Sequence, residues 1–341
     1  MQVTVKARKP PRVAFVMGDP AGIGPELAAK LLADEAIHDT ASLLVIGDRR
    51  DLAEGEKIAG VDTNIQVVSE PRIPEVGEPL FYDLRNCNPA DVTRGQATKA
   101  GGAAVMSSFR KGLELARDGM ADVVFFTPFN KQALRLAGNP YLDEIHFAAD
   151  VLGHTGPCSE FNILGNIWNA RVTSHIAFKD VLKHITEDNI LSALTLTDKT
   201  MRQAGFDSPR IALAALNPHA GDGGTFGHEE IDILAPAVAR ARSQSIAVKG
   251  PFPADTVFLR ARAGQFDAVL TLFHDQGQIA IKALGFDQGV TVLGGMSVPL
   301  CTPAHGTAYE IAGKGIASVE ATRRAFAIAC SMGGGGRILA N

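Results

Sequence analysis

Three histidines stand where α/β proteins place their chemistry, at strand ends and in the loops that follow them. His175 follows the apolar run Ala170–Ser174. His219 lies in Leu216-Asn217-Pro218-His219-Ala220-Gly221, and His274 in Phe273-His274-Asp275-Gln276-Gly277. Imidazole is a good ligand for Zn²⁺ and other first-row divalent ions, and three protein ligands with an open position suit a catalytic metal. Asp275 and Asp222 are available as hydrogen-bonding partners of such a site. Each histidine taken alone reads more readily as a hydrogen-bonded structural residue, and the three do not form a local HExxH motif. The residue pattern therefore leaves a metal site and three structural histidines as even alternatives.

Two glycine-bearing segments add to this. Gly18-Asp19-Pro20-Ala21-Gly22-Ile23-Gly24-Pro25-Glu26 follows a strand-like run and opens a helix, which suits backbone approach to an anion as well as it suits a tight structural turn. It has neither the GxGxxG order nor the Lys-Ser/Thr ending of a P-loop. His305-Gly306-Thr307-Ala308-Tyr309-Glu310-Ile311-Ala312-Gly313-Lys314-Gly315 offers small residues against which a flat ligand can lie. Its alternative is a close-packed connection between elements.

The elements that must position these residues alternate. Near-continuous apolar runs at 13–17, 43–46, 123–126, 161–164, 170–174, 211–216, 268–272 and 290–293 read as strands. Helical patterns fall at 21–32, from 49 onward, and at 95–117, 187–203, 229–242 and 321–330. Apolar strands between amphipathic helices indicate sheets covered on both faces, hence an α/β architecture. A chain of 341 residues has room for two such domains. Its net charge of -4 gives no electrostatic reason to propose nucleic acid or an anionic membrane as partner. The four scattered cysteines (Cys87, Cys158, Cys301, Cys330) form no CxxC pair, which points to reduced thiols. With no long apolar segment near the start, the cytoplasm is the expected location of a soluble protein.

Taken together, GDPAGIGPE, TPFNK, NPHAGDGGTFGHEE, GPFPADTVF, HDQGQIAIK and HGTAYEIAGKGIA resemble the 4-hydroxythreonine-4-phosphate dehydrogenase family of vitamin B6 biosynthesis, in order from Val13 to the last helix. The HGTAYEIAGKG segment also looks like the cofactor loop of isocitrate and isopropylmalate dehydrogenases. The resemblance implies two α/β/α domains with a cleft between them, 1–128 plus 287–341 and 129–286, in a homodimer with a shared active site. It implies an NAD or NADP cofactor at His305, Gly306, Thr307, Ala308, Glu310 and Ile311. It implies a divalent metal on His175, His219 and His274, zinc first, with magnesium, cobalt or manganese as alternatives. Lys282 and Asp255 fall on catalytic positions, and Lys282, Thr291 and His146 on substrate-binding ones. Spacing to His175 favours His146 over His154, although His154-Thr155 copies the letters of the family motif.

Three departures from the family pattern bear on the substrate. Leu300 replaces a phosphate-side arginine, Thr291 an asparagine, and Phe147 a threonine. An arginine fork suits a phosphate and leucine supplies nothing comparable. The departures therefore lean toward a non-phosphorylated cis-dihydrodiol carboxylate of the terephthalate type, oxidised at a secondary alcohol and decarboxylated. A 4-hydroxythreonine-4-phosphate or 4-phospho-sugar-acid dehydrogenase is the alternative. A metal-dependent hydrolase and an inactive binding homologue are the readings from other classes.

Overall fold

The computed structural model describes residues 9–141, 143–285 and 288–334. The chain divides into two compact units. One is formed by the described residues up to Thr155 and from Met296 onward, the other by Gly156–Gly295.

In the first unit, β1 (Arg12–Val16), β2 (Ser42–Gly47), β3 (Gln66–Val68), β4 (Leu80–Asp83), β5 (Val123–Phe126) and β12 (Leu300–Pro303) pair in the order β3-β4-β2-β1-β5-β12. Every pairing is parallel. β2 and β5 are buried at every position, as strands covered on both faces require. The covering helices are α1 (Gly24–Leu32), α2 (Glu35–His38), α3 (Arg49–Ala59), α4 (Lys99–Arg117), α5 (Lys131–Leu136), α6 (Glu144–Val151) and α12 (Glu320–Gly334). Local chemistry sets their ends. Thr98 caps α4 by accepting the Gly101 N–H, and Asp48 caps α3, which stops at left-handed Gly60. β1 lies between β2 and β5, so chain order reverses there and the carboxyl ends of β1 and β5 flank the usual ligand position of an open α/β sheet.

In the second unit, β6 (Ser159–Leu164), β7 (Ile167–Arg171), β8 (Ile211–Ala214), β9 (Val248–Phe252), β10 (Ala268–Thr271) and β11 (Val290–Gly294) pair in the order β11-β6-β7-β10-β8-β9. β6 is antiparallel to both neighbours and the remaining pairs are parallel. Its helices are α7 (Val181–His184), α8 (Glu187–Gln203), α9 (Ala235–Ser243), α10 (Ala254–Arg262) and α11 (His274–Leu284).

The division differs from the expected 128/129 and 286/287. Residues 129–155 belong to the first unit because α5 and α6 pack on α4. The Ala133 carbonyl sits where a Cβ on Gly102 would be, and Phe147 stacks on Phe109 at 5.5 Å. Residues 290–294 belong to the second unit because β11 pairs with β6. Residues 286 and 287 themselves lie outside the described residues.

Candidate functional site

The histidines are all carried by the second unit. β7 ends at Arg171, earlier than the apolar run suggests, so His175 stands in the loop beyond it. His274 is the first residue of α11, after the extended Phe273. The rings of His175 and His274 lie 5.5 Å apart, centroid to centroid. With Ser174, Ile176, Phe178, Val181, Phe273 and Asp275 they line a pocket of about 320 Å³. The Asp275 carboxylate meets Nδ1 of His274 at 2.7 Å, which leaves Nε2 as the atom able to donate to an ion. Apolar side chains line the pocket beside the pair: Ile176 and Phe178 are exposed, and Phe178 meets Phe273 edge to face.

His219 is built differently. It opens a run in which His219, Ala220, Gly221, Asp222 and Gly223 all take left-handed backbone conformations. Three of these are not glycine, and a left-handed L-residue costs about 1–2 kcal/mol, so something must hold the loop. Glu230 does so. It is buried, and its Oε1 accepts the backbone N–H groups of Leu216 and Asn217 at 2.8 Å each. Its Oε2 accepts the Asn217 amide at 2.9 Å, and Glu229 accepts the same amide at 2.7 Å. A Cβ on Gly221 would meet Glu230 Oε2 at 2.8 Å, so glycine is needed there. The helix expected over 229–242 accordingly starts with a π-turn, Glu230–Leu234, and becomes α9 after it. Among the described residues no three His, Cys, Asp or Glu side chains are gathered closely enough to hold a metal. The structure thus brings the rings of His175 and His274 together, with His219 on a separate loop of the same unit.

Lys282 is exposed on α11, eight residues and so about 12 Å of helix beyond His274. Asp255 is exposed in the first turn of α10. Thr291 is half-buried on β11, where its Oγ1 accepts the Asn162 amide at 3.4 Å.

The first unit holds the other predicted residues. His146 is exposed on α6, its Nδ1 bound to Asp143, the buried cap of that helix. His154 lies in the turn after α6. The two glycine-bearing segments form one knot at the carboxyl ends of β1 and β5. Gly18 N–H donates to Thr127 Oγ1 and Asp19 N–H to the Pro128 carbonyl. Gly22 has the Thr307 side chain and carbonyl where a Cβ would be, and Ile23 N–H donates to that carbonyl. The Tyr309 hydroxyl donates to the fully buried Asp19. Burial pushes the Asp19 carboxyl up, against the Tyr309 and Ala21 hydrogen bonds that favour its charge. The Asp19–Tyr309 bond is not readable from spacing, because 290 residues separate its partners. Within the predicted cofactor loop, Thr307 is buried, Ala308 is left-handed, and Ile311 packs on Ile23, Leu27 and Ala317. Gly306 has open space where a Cβ would be, with exposed Glu310 and half-buried His305 nearby in sequence.

Two of the three departures are core residues. Leu300 is fully buried in β12, in register with Val124. Phe147 is buried against Phe109 and Tyr141. Both side chains are taken up by core packing.

The profile of the family described as pyridoxal phosphate biosynthetic protein PdxA matches residues 39–329. The chain belongs to this family. A PdxA-family relative from Rhizobium meliloti, provisionally named 4-hydroxythreonine-4-phosphate dehydrogenase 2, is 56% identical over 94% of this chain and 93% of its own. One from Symbiobacterium thermophilum, provisionally named D-threonate 4-phosphate dehydrogenase, is 35% identical over 93% and 95%. The crystal structure of 4-hydroxythreonine-4-phosphate dehydrogenase from Klebsiella pneumoniae superposes with a TM-score of 0.82 at 30% identity, covering 96% of this chain and 100% of that one. A terephthalate 1,2-cis-dihydrodiol dehydrogenase from Burkholderia xenovorans shares the fold (TM-score 0.67) at 24% identity, with 94% and 97% covered. The chain is a PdxA-family dehydrogenase acting on CH–OH, an α/β enzyme without, among its described residues, any helix long and apolar enough to cross a membrane.

Proposed function

We propose that this protein oxidises the secondary alcohol of a 4-phosphorylated four-carbon hydroxy acid, 4-hydroxythreonine-4-phosphate or D-threonate-4-phosphate in type, with NAD or NADP as hydride acceptor. The single observation that carries the substrate class is the relative at 56% identity over nearly the whole chain, whose name specifies such a phosphate ester. The dihydrodiol reading leans on Leu300, Thr291 and Phe147, of which Leu300 and Phe147 are core residues. Its structural neighbour lies below the identity at which more than the fold is shared.

In the proposed reaction the C–H bond of the alcohol carbon breaks as hydride to the nicotinamide, the hydroxyl loses its proton, and a ketone forms. A ketone β to a carboxylate then loses CO₂. Lys282, exposed on α11, holds a substrate anion or assists the proton transfer, and Asp255 orients it. His146, fixed by Asp143, and Thr291 contact substrate. The segment from His305 to Ile311 receives the dinucleotide, with Gly306 as the point of open approach. The facing imidazoles of His175 and His274 supply two nitrogen donors for a divalent ion, zinc above others. His219, in the loop held by Glu230, is proposed as the third donor. A bound ion would polarise the alcohol oxygen. The enzyme is proposed to act in the cytoplasm as a homodimer.

The test is an assay of NAD(P)H formation on phosphorylated four-carbon hydroxy acids and on cis-diol carboxylates, with and without chelator. The expected outcome is turnover of the phosphate esters, suppressed by chelator, and loss of bound metal in His274→Ala without loss of the fold. Turnover of the diol alone would overturn the substrate class.

A further inference from the structure

Helix α11 carries His274 at its start and Lys282 near its end, yet it buries little apolar surface. Of its eleven residues only Gly277 and Ile281 are buried, with half-buried Ala280 and Leu284 packed on the cluster that includes Val257, Phe258 and Val269. Apolar contact is non-directional, so one buried isoleucine does not fix how far the helix is turned or shifted. Directional bonds fix it instead. The Gln276 side chain accepts the Leu272 N–H and donates to the Ala215 carbonyl, both at 2.8 Å. Gln278 Nε2 donates to Asn162 Oδ1 at 2.7 Å, and the same oxygen accepts Arg171 Nη2 at 2.8 Å.

Asn162 belongs to a polar stripe beneath the helix. It stands opposite Thr291 on one side and Asn169 on the other, and Thr271 reaches Asn169 from β10. Gly277 presses on Asn169 so closely that a Cβ would fall 2.4 Å from its amide atoms. The Arg171 side chain is 1% exposed with Glu160 at 3.2 Å, and its Nε and Nη1 have no partner. Burial lowers its pKa, with Glu160 opposing. Stability alone does not account for such a stripe, because buried ion pairs replaced by apolar side chains are often neutral or stabilising.

We infer that Gln278, seated on the Asn162–Arg171 pair, is a positioning residue that sets the register of α11 and so the placement of His274 and Lys282. The consequence for catalysis rests on the function proposed above; the anchoring of the helix does not. Gln278→Leu keeps the volume and leaves Asn162 bonded to Arg171, so no buried group is orphaned by it. Asn162→Asp keeps an acceptor for both donors, and the Thr291 hydroxyl, which accepts the Asn162 amide, can turn to donate to the new carboxylate.

Two measurements on the full chain decide the matter. In Gln278→Leu, amide hydrogen exchange across α11 should accelerate roughly tenfold or more while β7 and β10 keep their protection, and kcat/KM should fall by a similar factor at nearly unchanged Tm. Asn162→Asp should retain both properties. Unchanged exchange in α11, or faster exchange with kcat/KM intact, overturns the inference. A wild-type chain inert toward every phosphate ester overturns the function instead, and exchange alone then decides the anchoring.

Discussion

The two regions that gather the predicted residues are built on opposite plans. At the carboxyl ends of β1 and β5, GDPAG, TPFN and HGTAY interlock through backbone contacts, and Gly18 and Gly22 are there because neighbours occupy the space of a Cβ. Around His175, His219 and His274 the side chains are exposed or half-buried, the backbone of one loop is strained, and large apolar residues stand in the open. The same residue type, glycine beside a polar group, thus serves packing in one unit and loop geometry in the other. A motif's letters do not distinguish the two; its neighbours do.

Three substitutions test this contrast. The largest effect is expected for Glu230→Ala, which removes the acceptor of two backbone N–H groups and an amide beneath the left-handed loop. At about 1–3 kcal/mol for each buried donor left unpaired, the loss should be about 3–5 kcal/mol in urea unfolding. A loss under 1 kcal/mol would mean that the loop holds itself. In the first unit, Gly22→Ala drives a methyl to within 2.8 Å of Thr307 and should cost about 1–3 kcal/mol by the same assay. A neutral Gly22→Ala would show that the knot is slack and open to a ligand. The smallest effect is expected for Ala220→Gly. Relief of left-handed strain, about 1–2 kcal/mol, exceeds the extra chain entropy of glycine, so stability should rise by about 0.5–1 kcal/mol. A fall in Tm would show that Ala220 is not strained.

Much of the fold is legible in the sequence because its central strands are continuous apolar runs. The runs at 123–126 and 268–272 become β5 and β10 to within a residue. β3 has no such signature, being a short edge strand with exposed residues, and α11 offers only a short apolar face, Ala280, Ile281 and Leu284, with amide side chains docking its first half. The strand before His175 ends three residues earlier than the apolar run suggests: Val172 and Thr173 are β-prone, but they and Ser174 lie beyond the last paired position, Arg171. Of the site, the histidine pair follows from residue type and strand-end position. The Glu230 strut, the Asp143–His146 pair and the Asp19–Tyr309 bond do not, because each depends on side-chain geometry that no spacing rule encodes.

The antiparallel β6 has a consequence for how the chain folds. Leu164 and Ile167 pair across only two residues, Gly165 and Asn166, with Gly165 in the left-handed region such a reversal uses. Isolated hairpins close in about 1–10 µs. Every described strand pairing of the first unit is parallel and must await a crossover. The second unit therefore has a local starting point for folding, beside the strand that carries Arg171, before either unit has assembled its sheet.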